Sequence, residues 1–204
     1  MVRATEMDSA VLGVATNQSW IFFYHSTSKF ALMSGFTIRN AAEADAEAIR
    51  TIYNHEVEHE TSTFDLVPRS LQAQRDWIQA RSGAFSALVA VDDSGEVVGF
   101  GALSEYRDRA AYSTTVENSV YVRRDMSRRG IGKALLTALL DQAEASGFHS
   151  VIARIEASGS ASRALHEACG YKLVGIEREV GRKFGRWMSV ALMQCLLHER
   201  GAKN

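Results

Sequence analysis

One stretch constrains the fold of this chain more than any other. Val120-Tyr121-Val122 leads into Arg123-Arg124-Asp125-Met126-Ser127-Arg128-Arg129-Gly130 and then into Ile131-Gly132-Lys133-Ala134-Leu135-Leu136. The β-branched and aromatic start predicts a strand. Ile131, Leu135, Leu139 and Ala143 then recur at helical spacing, so a helix must begin where the basic turn ends. Glycines let backbone approach a ligand closely, and successive N–H groups at a helix N-terminus attract anions. With Arg128, Arg129 and Lys133 alongside, Gly130, Ile131 and Gly132 predict a phosphate or pyrophosphate site. A P-loop would need glycine at position 127 and Ser or Thr at 134, where the chain has Ser127 and Ala134. A dinucleotide fingerprint would need glycine at 135, where it has Leu135.

Around this segment the pattern alternates between strand and helix. Residues 36–39 read as a strand, 43–54 as a helix, 61–70 as a loop with Pro68, and a helix follows from Leu71 through Trp77 and Ile78. Segments 86–91 and 96–103 form a hairpin across Asp92-Asp93-Ser94-Gly95. Residues 114–122 are a further strand, and Gly147 is placed to end the helix that starts at the basic turn. Then come strand 151–156, helix 160–169 ended by Gly170, and closing strands at 172–175 and 188–196. The fold class is therefore α/β, one domain over residues 35–198 with a mixed, mainly antiparallel central sheet flanked by helices. Residues 1–34 are expected to be a poorly ordered extension and 199–204 a short tail. The apolar patch Trp20-Ile21-Phe22-Phe23-Tyr24 has polar flanks and does not make a signal sequence.

Composition narrows the partners. With 46% hydrophobic residues, 23% charged residues and a net charge of -1, nothing steers the chain to nucleic acid or an anionic membrane. No apolar run approaches the roughly 18 residues of a membrane span. Cys169 and Cys195 share no metal or redox spacing and suit a reducing cytoplasm.

Three further segments sharpen the reading: residues 112–122 (Tyr112-Ser113-Thr114-Thr115-Val116-Glu117-Asn118-Ser119 onward), residues 162–171 (Ser162 to Tyr171 through His166, Cys169 and Gly170), and Lys183-Phe184-Gly185-Arg186-Trp187. Together with Arg129-Gly130-Ile131-Gly132, they make the chain resemble the GNAT N-acetyltransferases. Within these it resembles the phosphinothricin and methionine-sulfoximine acetyltransferase branch, over about 36–197. Ser127 departs from the family's Gln or Arg, and Gly159 from its usual Asn. The resemblance implies acetyl-CoA as co-substrate, held by Val120, Tyr121, Val122, residues 128–133 and Ser162, with no metal. It also implies a small amino-acid-like amine as acceptor, direct transfer in a ternary complex, and a homodimer.

Acyl transfer to an amine needs a base, a stabilised oxyanion and a proton for the leaving thiolate. Glu117 is the expected base. His166 is a secondary proton-transfer group, on the helix where the family often carries a tyrosine acid, and Tyr112 or Tyr121 offers a hydroxyl. The family's fourth strand bulges near Val122, which frees an amide for the oxyanion. Arg107 is the expected cation for a substrate carboxylate or phosphinate, with Phe64, Lys183 and Trp187 lining the same pocket. Two other readings stand beside this one. A protein or peptide acetyltransferase, or an acyl-CoA sensor, could use the same fold. His55-Glu56-Val57-Glu58-His59 also fits the His-Glu-x-x-His pattern of zinc hydrolases, with His55 and His59 as ligands, but no third ligand is evident nearby.

Overall fold

The computed structural model describes residues 35–200; the extension expected at 1–34, with its apolar patch, lies outside the described residues, as do residues 201–204. Seven strands form one sheet in the order β1-β2-β3-β4-β5-β7-β6. They are β1 (Phe36–Asn40), β2 (Leu88–Asp92), β3 (Val97–Glu105), β4 (Thr115–Val122), β5 (Ser150–Glu156), β6 (Lys172–Lys183) and β7 (Arg186–Leu196). The helices are α1 (Ala46–His59), α2 (Leu71–Gln79), α3 (Ile131–Ala145) and α4 (Ser160–Glu167). Every neighbouring pair is antiparallel except β4 and β5, which run parallel.

Helices cover both faces, so the central strands are apolar on both sides, and β3 is buried from Val97 to Leu103. On one face Ile131, Leu135, Leu139 and Ala143 of α3 pack on Val98, Leu103, Val116 and Val151. These are the four α3 positions whose spacing announced the helix. On the other face Ile49, Ile52, Tyr53 and Val57 of α1, with Ile78 of α2, pack on Val89 and Phe100. Helix α3 ends with Gly147 N–H on Glu144 O at 3.0 Å and Phe148 N–H on Ala143 O at 3.1 Å, the paired bonds of a Schellman cap.

Two elements differ from the sequence expectation. Helix α1 runs on to His59, because Glu56 and Val57 are both buried and continue its inner face. Strand β6 is 12 residues long rather than four. Its outer half has almost no buried side chains, and its register with β7 shifts twice, between Leu173 and Gly175 and between Glu177 and Gly181. An edge strand with neither a buried face nor an even register leaves no period-2 signal to read.

Candidate active site

Strands β4 and β5 pair only from Thr115↔Ser150 to Glu117↔Ile152. Beyond that point β5 follows β7 as far as Glu156↔Val190, while β4 stays with β3 as far as Val122↔Gly99. The two strands therefore part, and a cleft of about 600 Å³ opens between them. Arg123 N–H donates to Val98 O at 2.9 Å. By the alternation of an antiparallel ladder, the N–H groups of Val120 and Val122 then point away from β3, into the gap. The β3–β4 register runs without a shift, so the bulge expected near Val122 is not present. Strand separation frees those amides instead.

Residues 128–133 do not line the cleft themselves; the glycine turn follows directly on its lining residue Ser127. Gly130 caps α3 at φ +82°, the left-handed conformation that glycine adopts without strain. It offers no capping side chain, so the N–H groups of Ile131, Gly132 and Lys133 are left for a ligand. Arg128 (φ +61°) and Arg129 are exposed on the turn, as is Lys133 on the first helical turn. Ser127 lines the cleft, and its hydroxyl donates to Arg124 O at 2.8 Å. The side chain that departs from the family pattern thus holds the turn together. Free amides, a positive helix end and flanking cations fit the diphosphate of a coenzyme A thioester.

Glu117 lies on the cleft wall at the last β4–β5 pair, and no hydrogen bond engages its carboxylate among the described residues. Burial pushes its pKa above the usual glutamate value, with Glu177 adding to the rise and Arg154 opposing it. His166 also lines the cleft but is 4% exposed, with both nitrogens occupied. Nδ1 lies 2.8 Å from Ser162 O, and Nε2 lies 3.1 Å from Asn118 Nδ2. Tyr171 donates its hydroxyl to Asn118 Oδ1 at 2.8 Å, which orients the amide with its N–H toward the ring. His166 is therefore the neutral Nδ1–H tautomer. Burial depresses its pKa.

Val120, Tyr121, Val122, Ser162, Glu117, His166 and Phe64 meet in this one cleft. Tyr121 is stacked on Phe100 with ring centroids 5.2 Å apart, and burial raises its pKa strongly, so its phenol stays neutral. Phe64 overhangs β6 at Gly181, where a Cβ would collide with its ring. The other expected substrate residues do not join them. Lys183 is 3% exposed and lies beneath the loop, donating to Thr63 O at 2.9 Å and Glu56 O at 3.2 Å. Burial lowers its pKa. Arg107 and Tyr112 form a surface group with Tyr106, and Trp187 is 64% exposed beside Arg182; none of the three lines the cleft. Sequence reasoning missed Asn118, Tyr171, Arg154, and the pairing of Glu56 with Arg124. Only the neighbourhood of Asn118 and Tyr171 to residues already singled out hinted at any of these.

The zinc reading loses its base. Glu56 points inward and its carboxylate is taken by Arg124 and Ser62, while His55 and His59 stack edge-on at 5.0 Å on the surface. Among the described residues no three His, Cys, Asp or Glu side chains are gathered for a metal.

Fold and cleft together are those of an acyltransferase. The chain belongs to the acetyltransferase (GNAT) family, whose domain model matches residues 38–191. It is 39% identical over 162 residues to an L-methionine sulfoximine/L-methionine sulfone acetyltransferase of Pseudomonas paraeruginosa, covering 79% of this chain and 94% of that protein. It is 38% identical over 157 residues to a phosphinothricin N-acetyltransferase of Streptomyces coelicolor, covering 76% and 92%. The structure of a phosphinothricin acetyltransferase from Sinorhizobium meliloti in complex with acetyl-CoA superposes with a TM-score of 0.78 at 36% identity, covering 84% and 93%. The chain is an acetyl-CoA-dependent N-acetyltransferase.

Proposed function

We propose that this enzyme acetylates the amine of a small amino-acid-like molecule of the phosphinothricin and methionine sulfoximine or sulfone class. The observation that carries the reading is Glu117, a carboxylate with no hydrogen-bond partner among the described residues and a pKa raised by burial, on the wall of a cleft next to a helix start whose amides have no capping side chain. The activities of the relatives named above support the acceptor class.

When bound, acetyl-CoA supplies an acyl group activated as a thioester. The amides at 131–133, with Arg128, Arg129 and Lys133, hold its diphosphate and keep the acyl group within the gap. Glu117 accepts a proton from the acceptor ammonium, directly or through one water, leaving a neutral nucleophile. The N–H groups of Val120 and Val122 donate to the oxygen on which charge develops. No cysteine lines the cleft, so transfer is direct within a ternary complex: the amine nitrogen bonds to the acyl carbon, the carbon–sulfur bond breaks, and a second amine proton leaves with the thiolate as free thiol. His166 acts by position, tying α4 to Asn118 on β4; a proton-transfer role would require one of its two hydrogen bonds to open.

Arg107, Tyr112 and Trp187 remain candidates for the acceptor site of an assembled enzyme. A homodimer is supported by the apolar side chains exposed along the β6 edge and the turn after it, Leu173, Val174, Ile176 and Phe184 among them. Two free cysteines suit a cytoplasmic location. Free thiol release from acetyl-CoA should be measured with phosphinothricin, methionine sulfoximine, methionine sulfone, ordinary amino acids and short peptides. Turnover of the free amino-acid analogues is expected; acetylation of peptides alone would replace this reading with a protein acceptor.

A further inference from the structure

A pair 68 residues apart in sequence bridges the cleft beside the glycine turn. Glu56, near the end of α1, is 5% exposed, and both its oxygens are occupied. Arg124 Nε donates to Oε1 at 2.8 Å and Nη2 to Oε2 at 2.6 Å, while the Ser62 hydroxyl also donates to Oε2. The Arg124 carbonyl in turn accepts the Ser127 N–H at 3.3 Å and the Ser127 hydroxyl at 2.8 Å. One continuous run of hydrogen bonds therefore joins the start of the anion turn to the loop carrying Ser62, Thr63 and Phe64. Glu56, Ser62, Thr63, Phe64, Arg124 and Ser127 all line the cleft.

We propose that Glu56 and Arg124 are positioning residues that hold the acceptor-side loop against the coenzyme turn, so that acceptor binding depends on a pair that touches no reacting atom. The inference rests on the acetyltransferase reading above. Bidentate guanidinium–carboxylate pairing fixes orientation as well as distance, which a point charge does not. Arg124 is also already matched in charge by Glu56, with Glu60 3.3 Å from Nη2, so it is not a spare cation for an acceptor carboxylate. Lys183 anchors the same loop independently through Thr63 O, so loss of Arg124 loosens the loop without unfolding it.

Arg124→Ala is expected to raise the acceptor KM about tenfold, a change of roughly 1.4 kcal/mol in binding, with kcat altered less. The Kd of acetyl-CoA, measured alone by calorimetry, should change far less than the acceptor KM. Arg124→Lys should recover only part of the loss, and Glu56→Gln/Arg124→Gln should be no worse than Arg124→Gln. An acceptor whose carboxyl is amidated should suffer the same fold-loss as its parent. Amide hydrogen exchange at residues 61–64 should quicken in Arg124→Ala whether or not turnover is measured. An unchanged acceptor KM, a loss confined to carboxylate-bearing acceptors, or unaltered exchange at 61–64 would each overturn the coupling. Absence of thiol release by the wild-type enzyme would instead count against the proposed activity.

Discussion

The two ends of the cleft are built from different materials. The end proposed for the coenzyme is mostly backbone, with amides of 131–133 behind Gly130 and exposed cations around them. The end proposed for the acceptor consists of side chains from distant segments: Glu117 from β4, Phe64 from the α1–α2 loop, Glu56 from α1, and Lys183 beneath from the end of β6. A site made of main chain requires only a local conformation. A site made of side chains requires the whole sheet to be assembled before any member finds its neighbour. Substitutions at the two ends should therefore fail in different ways.

The largest effect is expected at the acceptor end. Glu117→Gln should lower kcat at neutral pH by on the order of a hundredfold or more, with the calorimetric Kd for acetyl-CoA unchanged; equal turnover would remove Glu117 from the chemistry. Lys183→Met leaves the Thr63 carbonyl without its buried donor and should cost roughly 1–3 kcal/mol. That loss is read as a lower Tm together with a higher acceptor KM. Gly130→Ala meets nothing within 4 Å but forces a Cβ into the left-handed region. The strain is on the order of 1 kcal/mol, and several-fold weaker acetyl-CoA binding at near-constant acceptor KM would mark it as a coenzyme-end defect.

Smaller still is the effect of Arg154→Gln. Arg154 favours ionised Glu117, so its loss should raise that pKa further. The acid limb of the kcat/KM profile should then move to higher pH, and a static limb would separate Arg154 from the base. Smallest is a stability term from His166. Its folded pKa is depressed, so the unfolded chain binds the proton more readily. Stability should fall as pH drops through the unfolded-state value of about 6.5, and Tm measurements on His166→Asn should show a flatter profile there.

This division also explains what could be read in the sequence. The strand, turn and helix at 120–145 were legible because glycine spacing and helical periodicity are local signals. The α/β class followed from alternating patterns, and Glu117 from the motif around it. Glu56 was conspicuous for another reason, as the middle of a zinc-like motif, and its actual partner lies across the molecule on the turn after β4. Lys183 has the charge of a ligand-binding cation, yet the backbone carbonyls that accept from it belong to the end of α1 and to the loop after it, 127 and 120 positions away. The outer half of β6 was missed because one free edge and an interrupted register remove the alternation that reveals a strand.

The short parallel contact between β4 and β5 has a mechanical side. Three register pairs, ending at Glu117, join two half-sheets, β1–β4 and β5–β7. At about 3.3 Å per residue, Val122 lies roughly 16 Å along the strand from that pivot, so a relative rotation of about 10° would widen the mouth by close to 3 Å. The same rotation scarcely moves Glu117, which sits on the axis. A separation pivoting there would thus widen the gap toward Val122 and leave Glu117, the proposed proton acceptor, in register.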